Sequence, residues 1–150
     1  MSEFHGGVRW KRKSADFTYD SYNRSHEMVF KNGDVRIAAS GAPEFKGDPD
    51  LVDPEEAFVA SLSSCHMLTF LAICARKRLT LESYEDNAVG YLEKEGGKLW
   101  MTRVILRPSV RFAADAKVDA ALLARIHEDS HRDCFIASSV KTDVRVEPRQ

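Results

Sequence analysis

Residues 53–78, which read DPEEAFVASLSSCHMLTFLAICARKR, decide the fold of this chain. Asp53 is suited to cap a helix, Pro54 to fill its first position, and the acids that follow to face the positive end of the helix dipole. No helix breaker follows until about Arg78, so the sequence predicts a helix over residues 53–79. Apolar and small residues occur all round it, which indicates a central helix buried on every side by sheet or by a second subunit.

The composition indicates one soluble globular domain. The chain has 150 residues, and we expect residues 1–150 to form a single domain. Its 22 Lys and Arg residues against 23 Asp and Glu residues argue against a nucleic-acid partner, which needs a surplus of basic side chains. The amino terminus has no apolar signal segment, and no run of about 18 apolar residues predicts a membrane-spanning helix. We therefore expect a cytoplasmic protein with no membrane partner.

For residues 1–52, which precede this helix, the sequence predicts strands and an acidic loop. Residues 8–12, 17–22 and 27–30 alternate between apolar and polar side chains, as strands do. The dipeptide at residues 32–33, Asn-Gly, is typical of a two-residue hairpin turn.

The part after the helix has three predicted segments. Residues 80–113 are expected to form a hairpin that turns at a Gly-Gly pair, residues 115–140 to form helices, and residues 141–147 to form a last strand. The order of these elements predicts an α+β fold with an antiparallel-dominated sheet wrapped around the long central helix.

Three cysteines are present, which is too few, and odd in number, for the disulfide framework of a small secreted protein. Cys74 lies among apolar residues near the end of the predicted helix, so we expect an inert core residue. Cys65 lies in the middle of the helix among serine hydroxyls and beside His66. This polar setting argues against a purely structural role for Cys65.

Cys134 follows His127 and His131 at spacings that put all three side chains on one face of a helix. The spacing alone leaves three interpretations open. The three residues are structural, or the two histidines are helical zinc ligands that Cys65 and Cys134 complete to a Cys2His2 site. In the third interpretation, the two cysteines meet and cycle between a dithiol and a disulfide.

Three stretches of the sequence together resemble the OsmC/Ohr family, the osmotically induced and organic-hydroperoxide-resistance thiol peroxidases. They are residues 53–71, residues 131–140 with the sequence HRDCFIASSV, and the hairpin that ends at Gly33. The family has an acid ten residues before its first cysteine, as Glu55 is before Cys65. Its second cysteine follows 65 to 70 residues later, and here the separation is 69 residues. The resemblance covers essentially the whole chain.

The resemblance implies a role for each matching residue. Cys65 would be the peroxidatic cysteine and Cys134 the resolving cysteine. Glu55 matches the active-site acid, and Arg24, nine residues before Gly33, matches the active-site arginine. The family also implies an intertwined homodimer, organic hydroperoxides as substrates, no cofactor, and an external dithiol of the lipoyl type as reductant.

The implied chemistry begins with a thiolate, and an ordinary cysteine thiol with a pKa of about 8.5 is only ~3% ionised at pH 7. A guanidinium beside Cys65 favours the thiolate, and Arg24, oriented by Glu55, is its predicted source. Attack on a peroxide leaves a sulfenic acid on Cys65. Condensation with Cys134 then gives a disulfide.

The position of Glu55 on the predicted helix favours a site shared between two subunits. Ten residues of helix span ~15 Å and leave two side chains about 80° apart around the axis. A glutamate side chain does not reach that far, so Glu55 is expected to serve the Cys65 of the partner subunit in a homodimer.

Two departures from the family pattern resemble a separate OsmC-like branch of the family. Phe135 stands where the hydroperoxide branch usually has proline, and His66 stands where it has an apolar residue. The alternatives to a peroxidase are a binding module that has lost turnover and a non-catalytic or metal-binding member of the fold. The metal would be held by Cys65, Cys134, His127 and His131.

Overall fold

The computed structural model describes residues 1–149, and the chain divides into two compact units, Met1–Ala57 and a second that begins at Phe58. The first unit contains a three-stranded antiparallel sheet in the order β1-β2-β3. Its strands are β1 (Gly6–Arg9), β2 (His26–Phe30) and β3 (Val35–Ala39).

The predicted hairpin joins β2 to β3, but its turn takes four residues instead of two. Phe30 pairs with Val35, and Lys31, Asn32 and Gly33 have φ angles of 50°, 57° and 105°. The left-handed backbone that Asn-Gly favours is therefore present, and it begins one residue earlier than a two-residue turn requires.

Residues 17–22 form a turn, so the prediction of a strand there is wrong. The backbone N–H groups of Ser21 and Tyr22 donate to the carbonyl of Thr18 at 3.2 and 3.1 Å. The Thr18 and Ser21 hydroxyls also lie 2.8 Å apart. Hydroxyl side chains that bond locally in this way compete with a strand ladder.

The central helix is α1 (Pro54–Arg76), and its start is the predicted one. The Glu56 N–H donates to Asp53 Oδ1 at 2.7 Å, and the Asp53 N–H donates to Glu56 Oε2 at 3.2 Å. This reciprocal pair satisfies two backbone donors that the helix leaves unpaired.

The helix ends three residues before the predicted boundary. Arg78 takes a left-handed conformation with φ of 58°, and the Leu79 N–H donates to the Cys74 carbonyl at 2.9 Å. The Arg78 N–H donates to the Ala75 carbonyl at 3.0 Å, which completes a Schellman motif.

One face of α1 is buried within this chain. The buried residues recur at every fourth position, and they are Leu62, His66, Phe70 and Cys74. Leu68, on another face, is 59% exposed. The expectation of burial on every side is therefore not met within one chain.

By length and composition alone, α1 is long and apolar enough to cross a membrane, a test that the core helix of a soluble protein also passes. Its buried face nevertheless packs in the core of an α+β fold.

The second unit contains two sheets and a second helix. The predicted single hairpin over residues 80–113 is four strands, in which β5 and β6 form the hairpin and β4 pairs with β7. The last strand, β8, pairs in parallel with β6. The elements are β4 (Leu81–Asp86), β5 (Val89–Glu95), β6 (Lys98–Leu106), β7 (Pro108–Phe112), α2 (Ala120–Arg132) and β8 (Asp143–Val146).

Helix α2 is shorter than the predicted helical region. Asp119 caps it by accepting a hydrogen bond from the Leu122 N–H at 2.8 Å, and the helix ends at Arg132. Between α2 and β8 the chain has only a 3-10 turn, Ala137–Ser139. Cys134 therefore lies in a connection and not in a second α-helix.

Two apolar clusters hold α1 in the second unit, and His66 lies between them on the buried face of the helix. Leu62 packs with Val104 and Leu106 of β6, and Phe70 packs with Ile126 of α2. The imidazole of His66 therefore occupies a position in the apolar face of α1 where the helical periodicity predicts a hydrophobic residue.

Gly90 of β5 allows the sheet to approach α1 closely. A Cβ at this position would lie 2.4 Å from Met101 Cε and 2.5 Å from Val59 Cγ2. Any larger residue would push β5 away from the helix.

Candidate redox site

Cys65 lies in the middle of α1, half-buried, in the wall of an open cavity of about 590 Å³. Leu68 from the next turn of α1 and Phe135 and Ile136 from the connection after α2 give the cavity an apolar lining. A small molecule with an apolar body can therefore reach the Cys65 thiol from this side.

Cys134 is buried at 1% exposure and is held by the turn that follows it. The Ala137 N–H approaches Cys134 Sγ at 3.5 Å, and the Ser138 N–H donates to the Cys134 carbonyl at 3.0 Å. Burial, and to a lesser extent the neighbouring Cys65, raises the pKa of the Cys134 thiol to about 11. Cys134 is therefore a protonated thiol at neutral pH.

The fold thus brings together the two cysteines that the sequence singled out and gives them different environments. Cys65 lines the cavity, whereas Cys134 is its buried neighbour. Both are free thiols. A reagent that enters the cavity meets Cys65 before Cys134.

Cys74 is buried between Phe70 and Ile126, as predicted for a core residue. Burial raises the pKa of its thiol to about 11. A protonated thiol in an apolar cluster is unreactive.

The residues that the zinc interpretation named do not converge on one point in this structure, because His127 is directed at another histidine. His127 Nδ1 lies 3.2 Å from Nε2 of His66, while Cys134 is paired with Cys65. Among residues 1–149, no three His, Cys, Asp or Glu side chains are grouped so as to hold a metal ion.

The buried pair of His66 and His127 is the feature that sequence reasoning missed. The two residues are 0% and 4% exposed. Burial lowers the pKa of each to about 4, so both are neutral at pH 7. In the sequence, the only sign of this pair was a histidine, His66, within an apolar helical stripe. No local pattern indicated its partner, because His127 lies 61 residues further along the chain.

Arg24 belongs to the first unit, where its guanidinium is held by the segment around it. It donates to the carbonyls of Tyr22 and Tyr19 at 3.0 and 2.6 Å and lies 4.0 Å from the centroid of the Tyr22 ring. These contacts fix the position of the side chain.

Glu55 is half-buried in the first turn of α1, between the proline that opens the helix and Glu56 of the cap. The capping hydrogen bonds are made by Asp53 and Glu56. Glu55 is therefore not required for the cap.

Comparisons with known proteins agree on one family. A family model described as OsmC-like protein matches residues 47–149. The solved structure of an OsmC-like protein of unknown function from Vibrio cholerae O1 biovar eltor is 47% identical, with a TM-score of 0.94, and covers 99% of this chain and 100% of that one. The organic hydroperoxide resistance protein OhrB of Bacillus subtilis is 12% identical, with a TM-score of 0.67, over 99% of this chain and 98% of that one, which is a likeness of fold alone.

One curated protein is also similar to this chain in sequence. It is the uncharacterized protein YmaD of Bacillus subtilis (strain 168), which is 23% identical over 126 residues, or 83% of this chain and 84% of that protein.

Proposed function

Because this chain belongs to the OsmC-like protein family, we propose that it is a cytoplasmic thiol-dependent peroxidase that reduces organic hydroperoxides, with hydrogen peroxide as a second candidate substrate. The observation that carries the proposal is the arrangement of its two cysteines. One thiol lines an apolar cavity, and the other is a buried, protonated thiol directly behind it.

In the first step, the Cys65 thiolate attacks one oxygen of the peroxide bond. The O–O bond breaks, the sulfur becomes a sulfenic acid, and the second oxygen leaves as an alcohol after it takes up a proton. The apolar lining by Leu68 and Phe135 supports an organic peroxide, whose alkyl part it would remove from water.

In the second step, Cys134 attacks the sulfenic sulfur of Cys65. The S–S bond forms, the S–O bond breaks, and the Cys134 proton leaves with the hydroxide as water. An external dithiol of the lipoyl type then reduces the disulfide and restores both thiols.

We assign Arg24 to stabilisation of the Cys65 thiolate and Glu55 to orientation of that guanidinium. A bidentate Arg–carboxylate pair provides both the charge and its direction. Both assignments rest on the family pattern and on the ordered guanidinium of Arg24.

We further propose that the protein acts as a homodimer. The exposed face of α1 supports this, since Leu68 is 59% exposed on an otherwise apolar helix. In the first unit, Val8 and Val35 on the sheet are also exposed, at 71% and 46%. In such a dimer, Glu55 of one subunit would serve Cys65 of the other.

A stopped-flow titration of the reduced protein with a panel of peroxides tests the proposed function. We expect fast consumption of the first equivalent of tert-butyl hydroperoxide, slower consumption of hydrogen peroxide, and the loss of two thiols per turnover. A reduced protein that loses no thiols to any peroxide is a binding module and not a peroxidase.

A further inference from the structure

Two successive residues of α1 each contact the segment formed by α2 and the connection after it. Cys65 meets Cys134, and the next residue, His66, meets His127 of α2. The imidazole contact is buried, whereas the thiol contact borders the cavity.

The two imidazoles meet head-on. Their centroids are 5.5 Å apart, which equals the 3.2 Å between Nε2 of His66 and Nδ1 of His127 plus about one ring radius at each end. The ring planes differ by only 7°, so the two rings lie edge to edge in one plane and do not stack. This geometry is that of a linear N–H···N hydrogen bond between neutral rings.

The hydrogen bond places polar atoms where an apolar core would be more stable. Nδ1 of His66 and Nε2 of His127 are both buried and have no hydrogen-bond partner among the residues described. A pair of apolar residues would avoid this cost, since a buried polar atom without a partner is unfavourable. A direction-specific contact is therefore retained at the expense of stability, which is typical of functional sites.

The hydrogen bond fixes the position of α2, the helix that directly precedes Cys134 in the chain. His127 lies within α2, and its ring packs 4.5 Å from that of Phe70. Cys134 follows the end of α2 and belongs to a turn. To form a disulfide, its sulfur has to come within ~2.05 Å of the Cys65 sulfur, with a narrow range of backbone separations.

We infer that the hydrogen bond between His66 and His127 positions Cys134 for disulfide formation with Cys65. The contact fixes the rotation and slide of α2 against α1, so that the Cys134 turn closes onto a sulfenic acid on Cys65. The contribution of this contact to catalytic turnover rests on the proposed peroxidase function. His66 and His127 are positioning residues and do not touch the peroxide.

Amide side chains offer matched variants at the two positions. Asparagine carries a nitrogen near the place of an imidazole Nδ1, and glutamine carries one near the place of Nε2. Since the contact uses Nδ1 of His127 and Nε2 of His66, we expect His127→Asn and His66→Gln to preserve it. We expect His127→Gln and His66→Asn to lose it, although all four variants bury a neutral amide.

Equilibration of each variant with glutathione redox buffers measures the stability of the disulfide between Cys65 and Cys134, without peroxide. We expect His127→Asn and His66→Gln to keep the wild-type reduction potential. His127→Gln and His66→Asn should lower the equilibrium constant for the disulfide about tenfold, which raises the potential by about 30 mV. Equal potentials within both Asn/Gln pairs would overturn the inference.

A single-turnover experiment with one equivalent of tert-butyl hydroperoxide gives the kinetic counterpart. Disulfide formation should be about tenfold slower in His127→Gln than in His127→Asn. The rate of the first peroxide reaction, measured in a Cys134→Ser background, should differ less than twofold between them. A split in potentials without any reaction with peroxide would refute the peroxidase and leave the positioning role standing.

Discussion

Cys65 and Cys134 are neighbouring free thiols with different exposure to solvent. Cys65 borders the cavity, and Cys134 is 1% exposed with a pKa raised to about 11 by its burial and by the neighbouring Cys65. The first prediction follows from this asymmetry. Cys65→Ser should abolish peroxide consumption, whereas Cys134→Ser should consume about one equivalent and stop as a sulfenic or higher oxide.

Mass spectrometry of the stalled protein and a peroxide assay check this assignment. Cys74→Ser is the matched control and should turn over like the wild type. If Cys134→Ser loses the first reaction while Cys65→Ser keeps it, the two roles are reversed.

Arg24→Ala tests whether the guanidinium assists the thiolate. If Arg24 has the proposed role, we expect the reaction with peroxide to slow at least tenfold, a loss of about 1.4 kcal/mol of transition-state stabilisation, because the variant lacks the positive charge assigned to the Cys65 thiolate. The pH profile of thiol alkylation by iodoacetamide is the second measurement, and it should move to higher pH.

Arg36→Ala is the control for this variant, because Arg36 is an arginine of the same unit with an exposed ion pair to Glu27 at 3.7 Å. It should leave both measurements unchanged. An alkylation profile that is identical in Arg24→Ala and the wild type would remove Arg24 from the mechanism.

Mixed dimers test the shared site. A chain with Glu55→Ala is combined with a chain with Cys65→Ser, so that only one site of the heterodimer can join an intact Glu55 to an intact Cys65. If each site takes these residues from different subunits, half of the wild-type activity survives. If both come from one chain, the activity is no higher than that of Glu55→Ala homodimers, and a monomer at micromolar concentration would also refute the shared site.

The buried histidines make stability depend on pH. Burial lowers the pKa of His66 and of His127 from 6.5 to about 4, against a smaller rise that Asp86 gives to His127. Below pH 6.5 the unfolded chain therefore binds protons that the folded chain excludes. Stability is fully present above that pH and falls as the pH drops toward 4, by about 2 kcal/mol for each histidine at pH 5.

Urea unfolding at pH 7 and pH 5 measures this loss. The double variant His66→Gln/His127→Asn, which carries no imidazole at the pair, should show a much smaller difference between the two pH values. Replacement of the exposed His5 by glutamine should not change the difference. An equally steep pH dependence in the double variant would assign the effect to other groups.

Gly90→Ala should destabilise the fold by about 1–3 kcal/mol, because its Cβ would overlap Val59 of α1 and Met101 of β6. Gly7→Ala is the control, since a Cβ there meets nothing within 4 Å. Thermal or urea unfolding of both variants checks the prediction. Equal stability of the two would show that β5 can move away from α1 at no cost.

Much of the fold was predictable from the sequence wherever the signal was local. The start of α1 follows from Asp53, Pro54 and Glu56, which lie within four residues of one another. The Asn-Gly dipeptide likewise predicted the hairpin that joins β2 to β3. The turn at residues 17–22 was missed because alternating side chains indicate a strand, whereas the Thr18 and Ser21 hydroxyls favour a turn.

What the sequence by itself determined is the list of reactive residues and the helix that carries Cys65. Only the tertiary structure decided which of them meet. Cys134 and His127 follow Cys65 and His66 by more than 60 residues, and spacing on α2 alone put His127, His131 and Cys134 on one face as equal candidates for zinc. Packing of α2 against α1 separated them, because it buried one imidazole against another and one thiol against another. Contacts between distant segments depend on how whole helices and strands pack, and a local sequence pattern does not predict that packing.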